Sequence, residues 1–255
     1  MIEKVGMIGV GHAASFLVEG FRKANREMEI ILSPRNIERS KKMAAQFGAV
    51  VVNNNQAVVD STDLVILSTR PSDTVKVAQN INFRSEQVVI SIAAGVTLKS
   101  LIHVTLPATV VRAMPISCAA INQSPTLLYP DHSIARELFS SVGQVHTLQN
   151  ETFFTRASVI AAFYAWIFEL LNQTITWTAK TGISERQARN IVLETVYGAV
   201  NIALTQSDKD LTSILATLAT SGGITEQGLN VLVQQHGFTA WIEALEAVHK
   251  RLSAI

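Results

Sequence analysis

Residues 9–14 read Gly-Val-Gly-His-Ala-Ala, a G-x-G-x-x-A spacing set directly after an apolar run and directly before a helical pattern. The chemistry open to such a turn is phosphate binding through the backbone. Gly9 permits the tight turn, Gly11 lets a pyrophosphate approach the main chain, and Ala14 allows the helix to pack closely on its strand. His12 and Ala13 open the helix, whose free N–H groups suit phosphate oxygens. The His12 imidazole could also donate a proton, but contact with phosphate at the helix start is the preferred reading.

The second apolar run, 28–32, ends in Ser33, Pro34, Arg35 and Asn36. A site for NAD usually places Asp or Glu there to hold the ribose 2′-hydroxyl. A hydroxyl at Ser33 and a guanidinium at Arg35 suit a 2′-phosphate instead, which a carboxylate would repel. NADP(H) is therefore the expected dinucleotide, with Lys41 or Lys42 as further contributors.

These residues need a scaffold, and the pattern supplies one. Apolar, β-branched runs fall at 5–10, 28–32, 49–52, 63–67, 87–92 and 109–112, with helical patterns at 13–23, 37–47, 56–60, 73–80 and 98–104. Such alternation predicts a parallel sheet covered on both faces. Two more strands, at 126–129 and 144–148, flank a helix that Asp131 is placed to cap. From about residue 150 the alternation gives way to helices at 151–180, 184–205, 211–219, 226–235 and 239–252. Ser184 followed by Gln187 is a capping-box signature. The division expected is 1–150 for a dinucleotide domain and 151–255 for a helical domain.

Composition narrows the function. The 255 residues are 48% hydrophobic and 16% charged, with net charge +1 and no long basic run, which argues against a nucleic-acid partner. The lone Cys118 excludes an internal disulfide, and the chain opens on a strand signal without the features of a secretory leader. A soluble cytoplasmic protein is expected. His103, His132, His146, His236 and His249 lack metal-ligand spacing, so no metal is expected. The apolar stretch 157–171 is short of the ~20 residues a bilayer needs and suits a subunit interface rather than a membrane.

The ordered motifs resemble those of the pyrroline-5-carboxylate reductases. "IGVGHAASFLVEGF" is similar to the family's I-G-x-G-N-M-A opening with its later E-G, "LVILSTRPSD" to its strand ending in V-K-P, and "ISIAAGVTLKSL" to its S-x-A-A-G run. "VVRAMP" resembles R-x-M-P, "KTGISERQA" and "VYGAV" its later helices, and "TSGGITEQGL" its S-P-G-G-T-T-x-x-G-L loop. The resemblance implies an α/β fold: an N-terminal Rossmann-type, doubly wound parallel sheet with an all-α C-terminal dimerisation domain, assembled as a homodimer or larger oligomer. It implies hydride transfer from NADPH to the C=N bond of a small cyclic imine carboxylate. By motif match, Gly9, Gly11, Ser33 and Arg35 would hold the cofactor, and Arg70, Pro71, Ala93 and Ala94 would line its cleft. Thr225 would contact the substrate carboxylate, with the backbone N–H groups of Gly222 and Gly223 close by.

Departures from the family pattern concentrate on the substrate side. His12 replaces an Asn, Ile116 the Asn of M-P-N, Ser221 a Pro and Ile224 a Thr, while the family's S-G-S-G-P falls on Ala161, Ala162, Phe163, Tyr164 and Ala165. Tyr164 could serve as a proton donor to the imine nitrogen or as a packed aromatic. The alternative function is an NADP(H)-binding relative without reductase activity, a sensor or scaffold. An alcohol or oxo-acid dehydrogenase ranks last, because 151–171 holds no Lys or His base.

Overall fold

A computed structural model describes residues 2–25, 27–180 and 182–254. These fall into two compact units, one holding the described residues up to Ala161 together with those from His249 onward, the other Ala162–Val248.

The first unit runs β1 (Lys4–Ile8), α1 (His12–Ala24), β2 (Glu29–Leu32), α2 (Ile37–Phe47), β3 (Val50–Val51), α3 (Asn55–Asp60), β4 (Leu64–Leu67), α4 (Pro71–Ala78), β5 (Val88–Ser91), α5 (Leu98–Thr105) and β6 (Thr109–Met114). A 3-10 helix (Ser117–Ile121), β7 (Thr126–Tyr129), α6 (Ser133–Ser140), β8 (Val145–Thr147) and α7 (Glu151–Ala157) follow. The strands form one sheet in the order β3-β2-β1-β4-β5-β6-β7-β8. Pairing is parallel throughout except between β6 and β7. Successive strand residues point to opposite faces, and both faces are filled. Met7, Ile30, Ile66 and Ile90 join Leu17 and Phe21 of α1 in one core. Ile8, Ile31, Val65 and Val89 join Val59 of α3 and Leu101 of α5 in the other. That is why these strands are apolar without alternation.

Four helices start on local caps legible in the sequence: Asn36, Asn54, Thr97 and Asn150 each accept a backbone N–H from three residues on. Ser184 does the same for Gln187 at 3.3 Å, though its hydroxyl then donates to the Gln187 side chain at 2.7 Å, so the reciprocal half of a capping box is replaced. Asp131 does not cap α6. His132 occupies that position without a side-chain cap bond, and the Asp131 carboxylate pairs with Arg136 and accepts from Thr147. The Arg136 guanidinium holds the Asp131 carboxyl below its ordinary range.

The helix expected over 151–180 is broken. α7 ends at Ser158, whose hydroxyl and N–H both take the Phe154 carbonyl, at 2.7 and 2.9 Å. Beyond it the N–H groups of Val159 and Ala161 donate to carbonyls only three residues back, Arg156 and Ser158, at 3.3 and 3.2 Å, so the α-helical ladder lapses and α8 (Ile160–Ala179) starts afresh. One buried charge ties α7 to the sheet. Arg112 of β6 is 1% exposed, and its Nη1 donates to Glu151 Oε1 at 2.7 Å, while its guanidinium lies 4.5 Å from the Phe154 ring centroid. Burial draws the Arg112 guanidinium down from its ordinary value and the Glu151 carboxylate opposes that. The same carboxylate oxygen accepts Leu98 N–H, the first of α5, at 2.7 Å.

The second unit is all helix: most of α8, then α9 (Glu185–Thr205), α10 (Leu211–Leu218), α11 (Ile224–Gln234) and most of α12 (Gly237–Ser253). Only Ala188 and Val192, both in α9, are buried among its described residues, while Trp177, Tyr197, Leu204 and Ile224 are 69–89% exposed. The stretch Glu151–Ala179 is long and apolar enough by composition to cross a membrane, and 17% of its most apolar window is buried within the chain. Apolar exposure also extends over α9 to α12, far beyond one segment.

Removing Glu151 strands a buried cation. Glu151→Ala is expected to lower stability to urea by about 3 kcal/mol at fixed protein concentration. Lys23→Ala, at the exposed Lys23–Glu19 pair, should change it by less than about 1 kcal/mol.

Candidate functional site

The glycine turn lies at the carboxyl end of β1, a central strand, where a doubly wound sheet reverses its strand order and leaves a crevice. Gly9 has φ of +95°, and a Cβ there would meet the Ser68 carbonyl oxygen at 2.7 Å. Only glycine serves. At Gly11 a Cβ would meet nothing within 4 Å, so the space beside it is open. It is the N-cap of α1 and no side chain caps that helix, so its first-turn N–H groups, beside His12 and Ala13, remain for a ligand. His12 is exposed at the first helical position and Ala13 half-buried.

Ser33 differs from its expected part. It is fully buried, and its Oγ accepts Gly9 N–H at 3.0 Å. The end of β2 thereby props the turn from below, and the hydroxyl is not presented to a 2′-phosphate. Its backbone carbonyl is bonded by Ser40 at 2.9 Å, which anchors α2 to the same loop. Arg35 is exposed, and its Nη2 lies 3.1 Å from Asp73 Oδ2 in the first turn of α4. Arg70 is the N-cap of α4, with Pro71 at its first position. Ser68, just before them, has a buried hydroxyl without a hydrogen-bond partner. Ala93 is buried and Ala94 half-buried in the turn after β5, ahead of Gly95 with its φ of +79°. The sheet order therefore brings the loops after β1, β2, β4 and β5 to one edge. Open space at Gly11, an uncapped helix start and a buried unpartnered hydroxyl fit a dinucleotide. A cavity of about 490 Å³ lined by Lys4, Asp63, Leu64, Glu86 and Val88 lies at the opposite, amino-terminal edge of the strands and contains none of these residues.

In the helical unit, Thr225 is exposed in the first turn of α11, behind Gly223 as N-cap. Both loop glycines already use their N–H groups within the chain. Gly222 donates to Glu226 Oε2 at 2.7 Å, and Gly223 to the Thr220 carbonyl at 2.9 Å. A carboxylate thus does sit on Gly222, but it is the protein's own. Phe163 packs edge-on against Trp241 at 5.6 Å and lies 6.5 Å from Trp166, while Tyr164 meets Phe168 edge-on at 5.3 Å. Sequence reasoning missed Asp73, Ser68 and Glu226. Asp73 and Glu226 resemble ordinary first-turn acids, and nothing local marks the partner of any of the three.

The two glycines should respond differently to a methyl. Gly9→Ala is expected to lose about 2 kcal/mol of stability, and Gly11→Ala less than about 1 kcal/mol, measured by thermal unfolding.

Known proteins share this fold. Residues 4–95 match a family model described as NADP oxidoreductase, coenzyme F420-dependent, and residues 152–255 match one described as pyrroline-5-carboxylate reductase dimerisation. The structure superposes on 1-pyrroline-5-carboxylate reductase from Streptococcus pyogenes with TM-score 0.88, at 27% identity over 99% of this chain and 98% of that one. A pyrroline carboxylate reductase from Plasmodium falciparum, solved with NADP bound, shares the fold at TM-score 0.89 and 22% identity, over 100% of this chain and 99% of that one. Pyrroline-5-carboxylate reductase from Pseudomonas aeruginosa is 30% identical over 97% of this chain and 95% of its own length. With that likeness carried through both the nucleotide-type sheet and the helical half, the chain belongs to the pyrroline-5-carboxylate reductase family.

Proposed function

We propose that the protein is an NADPH-dependent reductase acting on the C=N bond of a small cyclic imine carboxylate, pyrroline-5-carboxylate to proline or a close relative. The observation that carries this reading is the backbone cradle at Gly9 and Gly11, held by Ser33, in a chain of this family. The domain reading is residues 1–150 for NADP binding and 151–255 for dimerisation and substrate. We read the assembly as a homodimer or larger homo-oligomer in the cytoplasm. A second copy accounts for apolar surface spread over α8 to α12 better than lipid does, since a single span would leave the other helices bare.

The cofactor, when bound, supplies a hydride to the imine carbon. The chain's residues bind and orient. The N–H groups at the start of α1, with His12 and Ala13, take the pyrophosphate, and Arg35 takes the 2′-phosphate. Ser33 acts through Gly9, while Arg70, Pro71, Ala93 and Ala94 form the walls of the cleft. Thr225 receives the substrate carboxylate, with Gly222 and Gly223 shaping the loop that presents it. As the carbon gains hydride, the ring nitrogen gains a proton, which Tyr164 or water delivers. No metal, membrane or nucleic acid enters this scheme.

The non-catalytic reading, an NADP(H)-binding sensor or scaffold, has one observation in its favour. The N–H groups of Gly222 and Gly223 are already bonded, the first to Glu226, so a substrate carboxylate must displace a resident one. Purified protein supplied with NADPH and pyrroline-5-carboxylate decides the matter. Cofactor oxidation at ~1–1000 per second, with proline as product, is the expected result; bound NADPH without turnover of this or related imines would support the sensor instead. Gly11→Ala should weaken NADPH binding at least tenfold or so while the protein stays folded, because its methyl enters the space of the pyrophosphate. Thr225→Val should raise KM for the imine about tenfold and leave the NADPH dissociation constant unchanged.

A further inference from the structure

We infer that Asp73 is a specificity-determining residue of the cofactor site: its carboxylate occupies Arg35 and so limits preference for NADPH over NADH. The inference rests on the reading of Arg35 as the 2′-phosphate residue and adds the residue that opposes it.

Arg35 follows β2 and Asp73 belongs to the first turn of α4, after β4; they are 38 residues apart in sequence. In the sheet, β1 lies between β2 and β4, so the pair bridges the two loops flanking the strand that carries the glycine turn. The contact is single, Arg35 Nη2 to Asp73 Oδ2 at 3.1 Å, between side chains 62% and 33% exposed. Such an exposed pair is weak and easily rearranged. It still sets the charge met by an incoming ribose. A 2′-phosphate is an anion of nearly two charges and competes with Asp73 for the same guanidinium, against the repulsion of the carboxylate. The neutral 2′-hydroxyl of NADH meets no such repulsion and can donate to a carboxylate, the part that an acid at the end of β2 plays in NAD sites. Arg35 and Asp73 together therefore present both kinds of ribose partner at one edge.

An acid in the first turn of α4 also suits the helix dipole. That role is blind to which dinucleotide binds, so the ratio of the two affinities separates the readings. Asp73→Asn keeps shape and removes charge. Titration of NADPH and of NADH into wild type, Asp73→Asn and Arg35→Gln, followed by nicotinamide fluorescence without substrate, measures each dissociation constant directly. In Asp73→Asn, NADPH is expected to bind about fivefold tighter, with NADH unchanged or weaker, at an unaltered thermal midpoint. Arg35→Gln is expected to weaken NADPH and spare NADH. If Arg35→Gln weakens NADPH but Asp73→Asn leaves the ratio as it was, Asp73 is only a helix-start acid and the inference falls while the cofactor reading stands. If Asp73→Asn weakens NADPH, the carboxylate orients Arg35 for the phosphate, and the inference is overturned. If Arg35→Gln leaves NADPH affinity untouched in protein that binds it, the 2′-phosphate assignment fails and takes this inference with it.

Discussion

A guanidinium with 1% of its surface exposed sits in β6, and the first unit is organised around keeping it paired. An unpaired buried cation is among the most costly features a fold can contain. Glu151 removes that cost and does two further things with the same oxygen: it brings α7 onto the sheet and accepts the leading N–H of α5. Phe154, one turn along α7, lies under the guanidinium. Sheet, α5 and α7 thus share one electrostatic joint. The loop after β5, with Ala93 and Ala94, runs directly into α5, so the joint also steadies one wall of the nucleotide edge.

That edge depends on a second long-range bond of a quieter kind. The Ser33 hydroxyl beneath Gly9 N–H joins the ends of β2 and β1. Gly9 cannot carry a side chain there because the Ser68 carbonyl is too close. The turn is therefore defined by backbone clearance and one buried hydroxyl, not by a charged residue. At the rim, Arg35 and Asp73 meet as an exposed ion pair. On the reading proposed above, rigid placement of the phosphates and adjustable recognition of the ribose fall to different residues.

The helical unit obeys another constraint. Its helices are well formed, with Ser184 and Asp210 as caps, yet a single copy buries almost none of its apolar side chains. Local hydrogen bonding makes such helices, and burial of their faces makes them stable. Assembly and folding of this half are then linked, and its stability depends on protein concentration. The aromatic group of Phe163, Trp166 and Trp241 is the main ring cluster of α8 and α12 within the chain. Of the three, Phe163 falls within the stretch 161–165 onto which the family's S-G-S-G-P pattern maps.

Much of the architecture was legible in the sequence, because its causes are local. Apolar strands without alternation meant a sheet covered on both faces, the glycine spacing marked a tight turn from strand to helix, and Ser184 marked a helix start. The change to helical periodicity near residue 150 marked where the strands end, while the compact all-helical unit runs over Ala162–Val248. What the sequence could not yield are pairings made across the fold. Nothing near Glu151 in the sequence marks it as the partner of Arg112, 39 residues away. Nor does anything near Asp73 mark it as the partner of Arg35. Ser33 suggested a ligand contact and instead supports Gly9, Glu226 occupies the N–H of Gly222, and the helix expected over 151–180 breaks between Ala157 and Ile160 although its apolar pattern runs on. Periodicity and capping are set by neighbours within a turn or two along the chain. Which oxygen meets which N–H at the site is set by the order of strands in the sheet and by the geometry of each turn, which only the folded chain decides.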